Sequence, residues 1–241
     1  MAMKGYFILI LLVGMVSTDS FALWSLKGKA MDTNDTVLHN AGIVRLPAPG
    51  LQSGTSVEKA LLTRRSVRDY QNKPLTLAEI SQLLWAAQGV SSPKGHRTTP
   101  SAGALYPLET YIVAGNVTGI AAGVYRYLPH QNALTQIIPG DRREELSKAA
   151  LNQASIRKAP ASIVFSAVLA RTTGKYGHRG LRYVYMENGH AAENVCLQVV
   201  SLHLGTVVIG AFDDDAVKEV MALSPEEEPL SIMPVGTPVA P

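Results

Sequence analysis

Late in the chain, apolar residues recur at helical spacing over about two dozen positions: Leu181, Val184, Ala192, Val195, Cys196, Val199 and Leu202. That spacing turns one helix face toward a core, and Gly205 is the natural terminator. At about 1.5 Å per residue, a helix from Leu181 to Leu204 is long enough to cross a domain. Everything else must therefore pack around it. Ser162 to Leu169 is a continuous apolar run of the kind buried on both faces of a sheet. Thr110 to Ala114 has strand composition and stops at Gly115, while Val124–Tyr127 and Ala133–Ile138, separated by Pro129-His130-Gln131-Asn132, read as a hairpin. No internal repeat is present. Helices and strands alternate without a strict βαβ rhythm, and the central hairpin favours an α+β fold over a doubly wound parallel sheet.

Capping signals place the shorter helices. Thr55-x-x-Glu58 predicts a short helix with Val57, Ala60 and Leu61 inward, and Thr76-x-x-Glu79 predicts a second that turns Leu77, Ile80, Leu83, Leu84 and Ala87 to the core before Gly89. Asp141-x-x-Glu144 opens another helix. Thr206–Ile209 is a short buried strand, Asp213-Asp214-Asp215 caps a last helix through Met221, and Leu230–Val235 is a final strand. Ahead of these, Lys4, the apolar stretch Tyr6–Val16 and the small residues at Ser20-Phe21-Ala22 have the pattern of a Sec-type secretory signal over residues 1–22. The apolar stretch is shorter than the roughly 20 residues a membrane span needs. The expected organisation is thus a signal (1–22), an extended arm (23–54) and one domain (55–241), in a secreted or periplasmic protein with no stable membrane association after cleavage.

The 22 Lys and Arg against 19 Asp and Glu give a net charge of only +3, without long basic runs, so nucleic-acid binding is not expected. The single cysteine, Cys196, rules out an intramolecular disulfide and a thiolate zinc site, and reads as a buried helix position. Glu187-x-x-His190 superficially matches a di-iron ligand pair, but the second copy such bundles need is missing, so no metal is expected. No G-x-S-x-G, H-E-x-x-H or Walker A sequence occurs.

Two segments carry chemistry. Arg64-Arg65-Ser66-Val67-Arg68 concentrates three guanidiniums and a hydroxyl. In an extended chain Arg64, Ser66 and Arg68 share a face suited to phosphate, although a solvated basic turn has the same composition. Pro100-Ser101-Ala102-Gly103-Ala104-Leu105-Tyr106-Pro107 has no bulky side chain before Leu105, so its backbone can approach a flat ligand; ordinary loops share that composition too.

In this order, with Lys175-Tyr176-Gly177, the run from Glu187 to Asn194, and Ile209-Gly210-Ala211-Phe212-Asp213, these segments resemble the nitroreductase superfamily over roughly Thr55 to Pro238. Within it the sequence is most similar to the SagB-type dehydrogenases, which include oxidases that convert azolines to azoles in modified peptides. The resemblance implies a mainly antiparallel sheet flanked by helices, and a homodimer with FMN at the subunit interface. It assigns Arg64, Arg65, Ser66 and Arg68 to the phosphate and ribityl chain. Pro100, Ser101, Ala102, Gly103 and Leu105 would line the isoalloxazine held mainly by the partner, and Gly210 and Ala211 would sit beside flavin N5. Lys175 and Tyr176 correspond to a pair linked to proton removal in the azoline dehydrogenases. Relatives often have two glycines at Gly210-Ala211. Many also carry a basic residue beyond the segment matching Val235-Gly236-Thr237-Pro238, so phosphate binding here is expected either to be weaker or to draw on Arg97 or Arg182. The implied activity is hydride transfer through flavin N5 between an organic donor, NAD(P)H or the small-molecule or peptide substrate, and a second acceptor. The alternatives are a peptide azoline dehydrogenase and a flavin-binding or maturation partner without turnover.

Overall fold

The computed structural model describes residues 42–239. The expected signal segment and most of the arm lie outside the described residues. A seven-stranded sheet forms the centre: β1 (Ile43–Arg45), β3 (Leu108–Ala114), β5 (Gly123–Leu128), β6 (Ala133–Pro139), β7 (Ala161–Val168), β8 (Gly205–Thr206) and β9 (Glu227–Gly236). Their order is β1-β6-β5-β3-β7-β9-β8, and every neighbouring pair is antiparallel. A separate two-stranded parallel pair joins β2 (Leu75–Thr76) to β4 (Val117–Thr118). The helices are α1 (Val57–Thr63), α2 (Leu77–Gln88), α3 (Arg143–Ala149), α4 (Ala154–Lys158), α5 (Ala170–Tyr176), α6 (Arg179–Ser201) and α7 (Asp214–Met221). This is the α+β arrangement expected, with the hairpin β5–β6 as predicted.

Alternation along the strands builds two cores. Ile112 and Ile163 join the core containing Leu83 and Leu84 of α2 and Val184 and Val195 of α6. Their neighbours Val113 and Val164 join the other, with Leu146 of α3, Ile156 of α4 and Val217 of α7. Period-two geometry sends successive side chains to opposite faces. Helices cover both faces, so β7 shows no polar alternation.

Several local expectations shift. Helix α1 is capped by Ser56, whose hydroxyl accepts from the Lys59 amide at 3.1 Å, rather than by Thr55, whose own amide turns back to Ser53. Only Ala60 of its expected inward face is buried; Val57 and Leu61 are 63% and 54% exposed, with no element among the described residues covering them. Helix α2 has the predicted reciprocal box between Thr76 and Glu79. Its terminator Gly89 is extended rather than left-handed (φ −65°), and what demands glycine is the Trp85 ring, against which any Cβ would collide. Asp141 grips the Arg143 side chain and amide instead of capping α3. Part of the segment expected as an extended arm contributes edge strand β1, paired with β6. A short helix, α5, occupies the stretch before α6. The last strand starts at Glu227 rather than Leu230, since Glu227 is itself buried and bonded to Tyr111 and Ser166.

Candidate functional site

The arginine segment leaves α1 in an extended conformation and runs beside β8. Ser66 bridges Thr206 in parallel, and the Val67 amide donates to the Thr206 carbonyl at 2.9 Å. Gly205 lets them come this close: a Cβ there would lie 2.7–2.9 Å from the branched carbons of Val67. The buried Tyr70 hydroxyl donates to the carbonyls of Val67 and Pro234, so the segment is pinned from two sides. Its arginines differ in what they do. Arg64 faces Glu193 on α6 at 3.9 Å. Arg65 folds back onto the Leu62 and Arg64 carbonyls at the C-terminal end of α1, where a helix leaves acceptors unpaired. Arg68 and Ser66 are exposed.

Four residues beyond β8 come Gly210 and Ala211, both exposed. A Cβ at Gly210 would meet nothing within 4 Å, and the Ala211 carbonyl is held by the Gln153 amide at 3.0 Å. One strand end thus carries both the cationic segment and an open backbone edge.

A second group forms around the Pro100–Pro107 loop. The residues before it are tied to the C-terminal end of α2 and to α6. Thr98 and Thr99 donate to the Trp85 and Ala87 carbonyls, and Asn194 donates to Thr99 and to the Ala86 carbonyl. Arg97 bonds Gln88 at 3.0 Å and lies 4.5 Å over the Tyr106 ring. The Tyr106 amide in turn donates to Ser101 Oγ at 2.9 Å. Three of the four residues Gly103, Ala104, Leu105 and Tyr106 have positive φ, at 63°, 54° and 45° for Gly103, Ala104 and Tyr106. For the two that bear a Cβ this is strained backbone.

Lys175 and Tyr176 sit against this turn. A Cβ on Gly103 would lie 2.8 Å from Tyr176 Oη and 3.0 Å from Lys175 Nζ, so only glycine leaves the pair in place. The Lys175 ammonium is 5.4 Å from the Tyr176 ring centroid, within cation–π range, and Tyr183 meets the same ring edge-on at 5.1 Å. The pair belongs to the last turn of α5. That gives it a fixed approach, and a cation there is favoured by the helix dipole.

Sequence reasoning missed Glu187. On α6 it is 2% exposed, and burial pushes its carboxyl up to about 7, against the opposing effects of the Ser101 hydroxyl and the Arg97 charge. The Glu187-x-x-His190 spacing drew attention to a metal, yet His190 is exposed while Glu187 is buried, so the two side chains diverge. The extra cations suggested by sequence also separate. Arg97 is committed to Gln88 and Tyr106, while Arg182 is exposed on α6 in a cleft with His178, Arg179, Tyr185 and Met186.

The two groups do not meet. Among the described residues no hydrogen bond or ion pair links Arg64–Arg68 or Gly210–Ala211 to Pro100–Leu105, Lys175 or Tyr176. They meet α6 at different heights: Glu193 faces Arg64, whereas Glu187, near Ser101, is six residues earlier and thus about 9 Å along the axis. Each group fits a different part of FMN. Exposed guanidiniums and a hydroxyl suit a phosphate, and the uncovered backbone at Gly210 and Gly103 suits a flat ring edge.

The family described as "Nitroreductase family" matches residues 61–237. A protein of Methanocaldococcus jannaschii named as a candidate nitroreductase is 47% identical over 180 residues, covering 75% of this chain and 90% of that protein. The microcin B17-processing protein McbC of Escherichia coli is 28% identical over 155 residues, covering 62% of this chain and 57% of that one. A solved structure of a candidate nitroreductase from Ralstonia eutropha superposes with a TM-score of 0.74 at 30% identity, over 83% of this chain and 91% of that chain.

Proposed function

The chain belongs to the nitroreductase family of oxidoreductases, and on that premise we propose that it is an FMN-dependent enzyme of the SagB type, working as a homodimer. The observation that carries this reading is the division of site chemistry into two half-sites that one chain keeps apart. Arg65, Ser66 and Arg68, with Arg64 beside them, hold the phosphate and ribityl end, and Gly210 and Ala211 offer backbone to the N5 edge. Pro100, Ser101, Ala102, Gly103 and Leu105 from the second subunit close over the ring. The surface for that subunit is the uncovered apolar face of α1, Val57, Leu61 and Leu62, with Tyr185 and Met186 of α6, all more than half exposed.

When bound, FMN supplies two-electron hydride chemistry at N5. The residues of this chain do the rest. Lys175 Nζ and Tyr176 Oη, which converge beside Gly103, are the groups that would handle the proton lost from a substrate carbon as hydride leaves. The likeness to the microcin-processing protein and the Lys175–Tyr176 geometry favour a peptide azoline as that substrate. A nicotinamide donor, with the pair idle, is the other enzymatic reading, and flavin binding without turnover is the reading from outside catalysis.

One experiment separates them. The purified protein is loaded with FMN, and bleaching of the flavin band is followed anaerobically with NADPH, with a synthetic azoline peptide and with dithionite. Bleaching by the peptide with azole formation supports the proposal. Bleaching by NADPH alone supports the nicotinamide reading, and reduction by dithionite only refutes turnover.

A further inference from the structure

Helix α5 carries the Lys175–Tyr176 pair, yet little within it fixes where the pair points. Thr172, Thr173 and Gly174 are poor helix formers, and the helix has no side-chain cap at its N-terminus. The hold comes from outside. Strands β3 and β7 pair antiparallel as far as Leu108 and Ala167, and the Val168 amide extends the ladder by donating to the Pro107 carbonyl at 2.9 Å. One residue earlier in the chain, Tyr106 has a φ of 45° and turns out of the ladder. Its carbonyl is taken by a side chain instead: Arg171 Nη1 donates to it at 3.2 Å. The same guanidinium places Nη2 2.7 Å from Glu109 Oε1, while Glu109 Oε2 accepts from Arg126 Nε and Nη2 at 3.0 and 2.8 Å.

We propose that Arg171 is a positioning residue: by bridging Glu109 and the Tyr106 carbonyl, it locks α5 to the Gly103–Tyr106 turn and so sets where Lys175 and Tyr176 stand. Arg171 lies four residues before Lys175, one helical turn, so the two share a face. Against the pair lies the turn, where a Cβ on Gly103 would be 2.8 Å from Tyr176 Oη and 3.0 Å from Lys175 Nζ. The anchor is itself held. Glu109 is buried on β3, between β5 and β7 in the sheet, and Arg126 occupies its other oxygen. A planar guanidinium meets two acceptors at fixed angles, which a lysine ammonium on a flexible stem does not.

An ordinary surface ion pair would fix little. This one differs in two respects. The Glu109 side chain is only 11% exposed and is shared by two arginines. A cation in the first turn of a helix also opposes the helix dipole, so α5 by itself gives no reason for an arginine there. The chain holds a second clamp of the same kind for comparison: Arg143 joins Asp141 at 2.6 Å to the Ala159 carbonyl at 2.9 Å, between α3 and the end of α4.

The test begins without flavin. A meta-fluorotyrosine replaces Tyr176, and its fluorine NMR resonance is recorded in the flavin-free protein. Packing against the Tyr183 ring at 5.1 Å should hold that resonance away from the position of a free fluorotyrosine peptide. In Arg171→Met it should move toward the peptide position, and in Arg171→Lys, which keeps the charge without the fork, part of the way. Arg143→Met should lower the melting temperature by a comparable amount and leave the resonance in place. A resonance unchanged in Arg171→Met, or moved equally by Arg143→Met, overturns the proposal. If Arg171→Met does not fold, Arg171→Lys against Arg143→Lys decides. The inference rests on the proposed function only for its consequence in catalysis: with FMN loaded, kcat for the azoline peptide should fall about 100-fold in Arg171→Met at little-changed KM, the loss expected of a misplaced group. A moved resonance with unchanged azoline oxidation leaves the clamp standing and removes the catalytic reading of the pair.

Discussion

Gly205→Ala tests whether β8 sets the position of the arginine segment. The added Cβ would lie 2.7 Å from Val67 Cβ, 2.8 Å from Cγ2 and 2.9 Å from Cγ1, whereas carbon atoms in contact sit at about 3.5–4.0 Å. The segment must therefore retreat by about 1 Å. The Val67 amide, now 2.9 Å from the Thr206 carbonyl, would then stand beyond hydrogen-bond range. Overpacking costs about 1–3 kcal/mol and the lost bond about 1 kcal/mol, so melting should fall by several degrees at about 2–4 °C per kcal/mol for a chain of this size. FMN affinity, read by fluorescence quenching, should fall about fivefold, because weakening one charge-assisted phosphate contact by half costs about 1 kcal/mol. Gly205→Ala with Val67→Ala removes the two Cγ collisions and should recover part of both losses. Gly210→Ala is the control: its Cβ meets no protein atom, so melting should hold while affinity drops where the ring edge passes. A Gly205→Ala protein that melts normally and binds FMN as wild type would refute the claim that β8 places Arg64–Arg68.

The other expectations are simpler. Arg65→Ala with Arg68→Ala should lower FMN affinity about 100-fold or more, the loss of two charge-assisted contacts, measured by titration. Lys175→Ala and Tyr176→Phe should leave FMN content unchanged but slow oxidation of a substrate that loses a C–H proton by about 100-fold or more; NAD(P)H-driven reduction of a quinone should barely change. Leu61→Asp with Leu62→Asp places charge on an apolar face 54–69% exposed in one chain, and sedimentation should then find a monomer that no longer retains FMN. Glu187 ionises near pH 7 when folded and near 4.5 ordinarily, so its stabilising contribution is full below about pH 4.5 and lost as pH rises through 7. At pH 8 Glu187→Gln should therefore stabilise the protein by on the order of 3 kcal/mol, and at pH 5 by little, as read by urea denaturation at both pH values.

What sequence made legible was whatever depends on local periodicity. The α2 capping box, the β5–β6 hairpin, the run of β7 and the face of α6 each rest on residues close in the chain, and each stands where its pattern puts it. Helix α5 was hidden because Arg171, Thr172, Thr173 and Gly174 have neither a strong helix pattern nor a side-chain cap, so packing against α6 settles it. The inward face assigned to α1 followed from periodicity alone, which cannot say whether the covering surface belongs to the same chain. The order of Arg64–Arg68, Pro100–Pro107 and Lys175–Tyr176 was visible, but not the partition of those segments between two groups on different sides of α6.

Glu187 was obscured by its residue type: it stands three positions after Val184 and four before Ala191, on the buried face of α6, where an ionisable side chain is the exception. The Gly103–Tyr106 turn holds Ala104 and Tyr106 in left-handed backbone, and the α6 carboxyl of Glu187 is buried with one oxygen unpaired. Each lowers stability, by about 1–3 kcal/mol for a strained residue and by more for a buried charge. Elsewhere the fold satisfies its buried acids, Glu109 with Arg126 and Arg171, and Glu227 with Tyr111 and Ser166. Left-handed backbone also occurs at Asn132, Leu151, Asn152, His203 and Ala222, so what sets the Ala104–Tyr106 turn apart is its place against Lys175 and Tyr176, where residues held against local preference mark a candidate site.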